Sequence, residues 1–241
     1  MPTPLIIDTD MSFDVDDVGA LCVAHALADR GEVELLATVH DAGVPQGIGG
    51  VSVLNRYYNR AALPLGAFKG RFGRTPGGNG WVHGPYLSSL LQRWPAVVQN
   101  SSEVHDAVAI YRRVLAAAAD GSVVIACIGF PTNLALLLRS PADAHSSLGG
   151  MELVALKVRR VVYQGGHFPS RGAVGFNWAC GAEFYDHSTL DDGCASATKF
   201  AINTMPVEQY FSDKGEHVYA GAPLAACQPD NNPCRAAVRG A

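Results

Sequence analysis

An apolar run that ends in a dense acidic segment is the feature that most constrains this chain. The run is Leu5-Ile6-Ile7, and five of the ten residues after it are aspartates: Asp8, Asp10, Asp14, Asp16 and Asp17. A short apolar run with β-branched residues predicts a buried strand. Apolar residues then recur at helical spacing, namely Val18, Leu21, Cys22 and Ala26. The segment therefore predicts a strand, an acidic turn and a helix.

The acidic turn needs a source of positive charge. Neighbouring carboxylates repel one another, and a helix N-terminus supplies only about half a charge. A hard divalent cation held by oxygen ligands neutralises such a cluster. The alternative is a solvated turn in which one aspartate caps the helix. The acidic turn lies at the carboxyl end of a predicted first strand, where open α/β sheets bind ligands, and this position favours the cation.

Composition excludes several classes of function. A chain of 241 residues is long enough for one large α/β domain, and we predict a single domain over 1–241. A net charge of −4 without a basic run argues against nucleic acid or an anionic membrane as partner. No apolar stretch reaches the ~18 residues that span a bilayer. The predicted first strand begins almost at once, so we expect no secretory signal and a cytoplasmic protein.

The six cysteines contain no Cys-x-x-Cys pair. We therefore expect free thiols, mostly buried, in a reducing compartment. Cys227 and Cys234 flank a loop rich in proline and asparagine, and their oxidation is the alternative.

Apolar runs alternate with helical patterns along the chain. Strands are predicted over 5–7, 35–39, 63–66, 123–128 and 161–163, and helices over 51–60 and 104–119. Strands separated by helices predict an α/β fold with an open, mostly parallel, Rossmann-like sheet and helices on both faces.

Polar motifs follow two of the later strands. Gly129-Phe130-Pro131-Thr132-Asn133-Leu134-Ala135 comes after one, and Gln164-Gly165-Gly166-His167 comes after the next. Farther along stand Asn177 and the triplet Ala182-Glu183-Phe184. Each motif alone is more typical of a helix cap or a loop. Their succession at strand ends indicates one shared site.

Together with Asp8-Thr9-Asp10 and Asp16-Asp17, these motifs resemble the inosine-uridine preferring nucleoside hydrolases. The resemblance is strongest to divergent nucleoside hydrolase-like members, in which two extra residues precede the paired aspartates. It runs from about residue 5 to about residue 184. It implies an open α/β protein that uses Ca²⁺ to hydrolyse the N-glycosidic bond of ribonucleosides in purine or pyrimidine salvage. It also implies a small-molecule ribosyl ligand and a homodimer or homotetramer.

The resemblance assigns metal and catalytic roles by position. Asp10 would bind Ca²⁺ and act as the general base that activates water at the metal site. Asp17 would be a second, bidentate ligand, and Thr132 would contribute its backbone carbonyl. Asp8 would orient Asp10 from behind. His83 resembles a histidine near the base-binding end and is a candidate acid for the departing base.

Further positions are assigned to the substrate. Asp16, Asn177 and Glu183 would hold the ribose hydroxyls. Asp41 stands near the place of a family asparagine and could substitute for it, and His167 is a second candidate near the base. Carboxylates suit this chemistry because glycoside cleavage develops positive charge on the sugar.

One family feature is missing from the sequence. A late His-Asp or Trp-Asp pair normally supplies the last calcium ligand, and none is found here. Residues 231–239 resemble the segment before that pair, so we expect a truncated member or one with weak activity.

Three functions remain open at this stage. The favoured one is a calcium-dependent nucleoside hydrolase. The second is a catalytically weak or inactive member that binds a ribosyl ligand or a protein partner. The third is a haloacid dehalogenase-type phosphatase, which Ser12 disfavours because that class has Thr or Val two residues after its second aspartate.

Overall fold

A computed structural model describes residues 1–12, 14–70, 84–165, 194–212, 221–226, 229 and 231–240. Seven strands form one parallel sheet in the order β4-β3-β2-β1-β5-β6-β7. The strands are β1 (Thr3–Thr9), β2 (Val33–His40), β3 (Leu65–Ala67), β4 (His105–Asp106), β5 (Val123–Cys127), β6 (Val158–Gln164) and β7 (Glu208–Ser212). The predicted open α/β fold is confirmed.

Helices cover both faces of this sheet. In chain order they are α1 (Asp16–Asp29), α2 (Gly47–Tyr57), α3 (Pro85–Arg93), α4 (Ala107–Ala117), α5 (Thr132–Arg139), α6 (Gly150–Lys157), α7 (Cys194–Thr204), α8 (Gly221–Ala226) and α9 (Pro233–Arg239). Successive residues of β1 face opposite sides, because Ile6 packs in a core with α4–α7 while Ile7 packs with α1–α3 and α9. Asp8 shares the parity of Ile6 and projects toward α4 and α5, where Tyr111 and Asn133 contact it.

The strand order reverses next to β1. From β1 the chain builds outward through β2, β3 and β4, and it then returns to place β5 on the other side of β1. Adjacent loops leave the sheet in opposite directions at such a point, which opens a crevice at the carboxyl ends of β1 and β5. The acidic turn lies at this crevice.

The element bounds differ from the predictions in places where the pattern is weak. The predicted helix over 51–60 begins earlier, at Gly47, and the one over 104–119 is shortened to Ala107–Ala117. Asp106 caps that helix, its side chain accepting from the N–H of Val108 at 2.8 Å. Strand β4 was not predicted, because two residues show no hydrophobic alternation.

The expectation of free thiols is wrong for two cysteines. Cys22 of α1 and Cys234 of α9 form a disulfide, with their Cα atoms 6.9 Å apart. Both lie in the same apolar cluster, so tertiary packing brings together residues that are 212 positions apart. Cys127 is buried and free. The argument for a reducing compartment rested on free thiols and loses that support.

None of the helices within the described ranges has the length and apolar character needed to cross a membrane.

Candidate functional site

Two neighbouring strands, β1 and β2, carry carboxylates to one point at the carboxyl end of the sheet. Asp8 ends the pairing of β1 with β5, opposite Cys127, and Thr9 pairs with His40 at the end of β2. The pairing continues beyond the strands, because the N–H of Asp41 donates to the carbonyl of Thr9 at 3.0 Å. Asp10 and Asp41 therefore leave adjacent strands side by side.

Four aspartates at this point are almost completely buried. Asp8 and Asp41 have no exposed surface, and Asp10 and Asp17 are 7% and 3% exposed. Burial raises the pKa of Asp8 from 3.8 to about 7. Burial, reinforced by neighbouring carboxylates, raises the pKa of the other three well above the usual aspartate range. The cluster therefore binds protons or a cation at neutral pH.

Asp10 and Asp17 form the centre of the cluster. Asp17 lies in the first turn of α1, where its carboxylate accepts a hydrogen bond from the Thr9 hydroxyl. The carboxyl groups of Asp10 and Asp17 are within hydrogen-bonding reach of each other. Two predicted metal ligands thus lie in contact, although six residues separate them along the chain.

Asp8 is held from behind by two donors. The Tyr111 hydroxyl donates to its Oδ2 at 2.8 Å, and the Asn133 amide donates to its Oδ1 at 2.8 Å. The same amide nitrogen donates to the carbonyl of His40 at 3.2 Å. Both oxygens of Asp8 are therefore occupied, which suits a residue that positions its neighbours.

Two of these supporting residues were missed at the sequence level. Asn133 belongs to the quoted motif but received no role. Tyr111 lies in a helix with an apolar face, where a tyrosine gives no functional signal. Its contact with Asp8 depends on how α4 packs on the sheet.

A second group of carboxylates extends the site toward solvent. Asp14, Asp16 and Asp17 each place one oxygen within 4.8 Å of the others, and Asp14 and Asp16 keep exposed surface. Partial burial and the neighbouring Asp16 raise the pKa of Asp14 to about 7. Asp14 received no role from the sequence. Asp16, predicted to bind ribose, offers a carboxylate that is accessible from outside.

Thr132 begins α5 and is buried beside Asp41. Its hydroxyl donates to the backbone carbonyl of Asp41 at 2.9 Å. This bond joins the β5–α5 turn to the end of β2, a side-chain role that the sequence did not predict. The predicted role of the Thr132 carbonyl as a metal ligand stays a prediction.

His40 links two turns beneath the site. Its ring nitrogens lie 3.1 Å from the carbonyl of Ala42 and 3.2 Å from that of Met11. Burial lowers the pKa of His40 to about 4, so the ring is neutral at pH 7. It stabilises the turns that carry Asp10 and Asp41.

Four predicted site residues lie outside the described part of the chain: His83, His167, Asn177 and Glu183. Their predicted roles are untested.

The described residues fit a hard divalent cation. Asp10 and Asp17, at the centre, offer carboxylate oxygens. Among the described residues, the closely spaced ligand group is Asp14, Asp16 and Asp17, and it contains no thiolate or imidazole. Neither carboxylate oxygen of Asp41 has a hydrogen-bonding partner of good geometry among the described residues. Oxygen-only donor sets suit Ca²⁺ or Mg²⁺ and do not suit softer metals.

No protein-family model and no curated protein sequence matches this chain. Solved structures do resemble it. The type III effector XopQ, crystallised with adenosine diphosphate ribose, aligns with a TM-score of 0.70 and 17% identity over 99% of this chain. The effector XOO4466 aligns with a TM-score of 0.71 and 16% identity over 99% of this chain. The plant nucleoside hydrolase PpNRh1 aligns with a TM-score of 0.62 and 16% identity over 98% of this chain and 70% of its own.

The chain spans 64% of the length of each effector. At identities of 16–17%, such alignments establish a common architecture and leave the chemistry open. The structure therefore has the fold of the nucleoside hydrolases.

Proposed function

We propose that this protein is a calcium-dependent N-ribosyl hydrolase, a divergent member of the inosine-uridine preferring nucleoside hydrolases. The observation that carries the proposal is the buried contact between Asp10 and Asp17 at the point where the strand order reverses. Two carboxylates in contact there suit a cation site that faces a ligand crevice. The shared fold with a plant nucleoside hydrolase supports the same class of reaction.

The metal ligands in this proposal are Asp10, Asp17 and the backbone carbonyl of Thr132. Ca²⁺ at this position would keep the carboxylates ionised and make a water molecule easier to deprotonate. The donor set and its burial support an ion of this type.

Asp10 is the general base of the proposed reaction. Asp8 lies behind it with both oxygens occupied by Tyr111 and Asn133, so the strand end is fixed before substrate arrives. A base whose position is fixed loses little to reorganisation during the reaction. The surrounding carboxylates stabilise the positive charge that develops on the sugar.

Ribose recognition is assigned to Asp16, Asn177 and Glu183. Asp16 supports this assignment because its carboxylate is exposed next to the buried Asp17, where a sugar arriving from solvent can meet it. A buried acceptor left unpaired costs about 1–3 kcal/mol, so recognition of both ribose hydroxyls would disfavour deoxyribose. His83 and His167 are the proposed candidates for protonating the departing base.

A second candidate function is binding of a ribosyl ligand with little or no cleavage. It is favoured by the likeness to XopQ, whose structure contains adenosine diphosphate ribose. The two functions share the same cation site and differ in turnover.

Ribose release from inosine and uridine, measured with added Ca²⁺, tests the proposal. We expect Asp10→Asn to lower the rate by ~10²–10⁴-fold, the usual contribution of a general base. Asp120→Asn is the matched control, since Asp120 is exposed just before the amino end of β5, away from the site, and pairs with Lys157 at 2.7 Å.

Hydrolysis by Asp10→Asn at the parent rate would contradict the assigned base. Calorimetric binding of adenosine diphosphate ribose without ribose release would favour the second function.

A further inference from the structure

We propose that Asp41 is an additional ligand of the cation held by Asp10 and Asp17. The inference rests on the proposed cation site and deepens it. It replaces the substrate contact that the sequence predicted for Asp41 with a role in holding the metal.

The first argument is the state of the Asp41 carboxylate. Asp41 has no exposed surface, and neither of its oxygens meets a hydrogen-bond donor with good geometry in the described chain. Asp8 is equally buried, yet both of its oxygens are bonded to Tyr111 and Asn133. Because an unpaired buried carboxylate is very costly, either a cation or a proton shared with Asp8 has to satisfy Asp41.

The second argument is the direction in which the carboxylate points. A methyl group placed on Gly129 would lie 2.5 Å from Oδ2 of Asp41 and 2.6 Å from the backbone nitrogen of Asp10. Only a residue without a side chain fits between them. The Asp41 carboxylate therefore lies against the β5–α5 turn, beside the backbone of a proposed ligand.

The third argument is that the backbone of Asp41 is fixed. Its N–H donates to the carbonyl of Thr9 at 3.0 Å, and its carbonyl accepts from the Thr132 hydroxyl at 2.9 Å. Thr9 precedes Asp10 in the chain, and Thr132 is itself a proposed ligand. Asp41 is thus clamped between the two segments that supply the other ligands.

The fourth argument concerns the charges around Asp41. The charged groups acting on it are Asp8, Asp10 and Asp17, all of them acidic. The backbone N–H of Phe130 opposes them only in part. A cation shared with Asp10 and Asp17 would satisfy all three carboxylates at once. Binding would draw the Asp41 carboxylate toward the other two, since the described ligand oxygens that lie within 4.8 Å of one another are those of Asp14, Asp16 and Asp17.

Two other roles for Asp41 lead to different results. A sugar enters from solvent, and the fully buried Asp41 offers it no surface, whereas Asp16 does. A proton shared with Asp8 is the stronger alternative, because the two carboxyl groups are within hydrogen-bonding reach. The Asp41→Asn substitution distinguishes cation binding from proton sharing, since the new side chain has the same size but no charge.

The experiment is calorimetric titration of Ca²⁺ into chelator-stripped protein at neutral pH. We expect Asp41→Asn to weaken calcium binding by more than ~100-fold, because residues that only support the ligands from outside typically cost 10–100-fold when mutated. Asp17→Asn should also weaken binding, and Asp120→Asn should bind as the parent does. A loss of ~100-fold or less would overturn the proposal and indicate that Asp41 only supports the ligands. Parent-like or tighter binding by Asp41→Asn would also overturn it and indicate a proton shared with Asp8.

Failure of the proposed function gives a different result. If the parent protein takes up no Ca²⁺ at millimolar concentration, the cation site itself is wrong. If the parent and Asp17→Asn differ while Asp41→Asn matches the parent, only the role of Asp41 is wrong.

A measurement on the unaltered chain covers the case in which Asp41→Asn does not fold. In crystals of the parent soaked with Ca²⁺, an Asp41 oxygen should lie about 2.3–2.6 Å from the ion. An ion bound to Asp10 and Asp17 with Asp41 beyond that distance would overturn the proposal.

Discussion

Metal-free protein should lose stability as the pH rises from 6.5 to 8. The reason is that Asp8, Asp10, Asp17 and Asp41 ionise much more readily in the unfolded chain than in the folded one. Over this pH range the unfolded state binds fewer protons than the folded state, so the free energy of unfolding falls with pH. Carboxylates that pair with a cationic side chain behave in the opposite way. Their pKa is lowered in the folded state, so the free energy of unfolding rises with pH on the acid side.

The size of the effect follows from the pKa of Asp8. With a pKa of about 7 when folded and 3.8 when unfolded, Asp8 alone costs about 1 kcal/mol between pH 6.5 and 8. Each of the other three carboxyls that stays protonated in the fold adds up to about 1.4 kcal/mol per pH unit. We therefore expect the free energy of unfolding to fall by at least about 1 kcal/mol, and by at most several kcal/mol, between pH 6.5 and 8.

The window is chosen so that the acidic cluster titrates and other groups do not, and Asp14, with a pKa of about 7, adds to the loss in the same direction. Burial lowers the pKa of His25 and His40 to about 4, so both histidines destabilise the fold only below about pH 6.5. The Arg112 guanidinium holds the pKa of Asp143 below its usual range, and that group is ionised throughout the window. Neither effect changes much between pH 6.5 and 8.

Urea unfolding in the presence of chelator, at pH 6.5, 7.25 and 8, measures the prediction. Added Ca²⁺ should restore stability, and more so at pH 8, where fewer protons have to be displaced. A urea midpoint that stays level or rises with pH in chelator would refute the reasoning. It would mean that the carboxylates are solvated and ionised without an ion, as in the simple acidic turn.

Two further predictions concern contacts that support the site. Tyr111→Phe removes the hydroxyl that donates to Asp8, and we expect it to lower the free energy of unfolding by about 1–3 kcal/mol, with Tyr210→Phe on the exposed edge strand as control. Unfolding of Tyr111→Phe at the parent urea midpoint would count against that contact. Cys22→Ser removes a cross-link between residues 212 positions apart. The chain entropy regained by the unfolded state should lower the free energy of unfolding by about 5 kcal/mol. Calorimetric melting should therefore bring the variant and the reduced parent to the same lower temperature, and a variant that melts with the oxidised parent would contradict the disulfide.

Sequence reasoning worked where the signal is local. The strand β1, the acidic turn and the start of α1 follow from a short apolar run and its spacing to the next helix. The pairing of Asp10 with Asp17 was accessible for the same reason, since both lie in that one segment. The parallel order of the strands followed from their alternation with helices.

It failed where contacts depend on packing between distant segments. The hydroxyl of Tyr111 reaches Asp8 across 103 positions, and Cys22 reaches Cys234 across 212. Neither residue stands out in its own segment. The edge strand β7 was missed because most of its residues are exposed, so it lacks the apolar alternation that marks a strand.

If the proposed cation site is correct, the stability of the fold and its affinity for the ion are thermodynamically coupled. A domain is stable by only about 5–15 kcal/mol, and four buried carboxylates ionised together without compensation would consume much of that margin. Protons can compensate them at low pH, but those protons also block the oxygens that a cation needs. Under the proposed function, the fold at neutral pH therefore favours the cation-bound form, and each carboxylate that binds the ion also removes a destabilising charge. On this reasoning Asp41→Asn should stabilise the metal-free protein while weakening its affinity for Ca²⁺, whereas a carboxylate that only shares a proton with Asp8 would lose stability on the same change. Opposite shifts in urea midpoint and calcium affinity, measured on one variant, are the signature of a metal ligand at position 41.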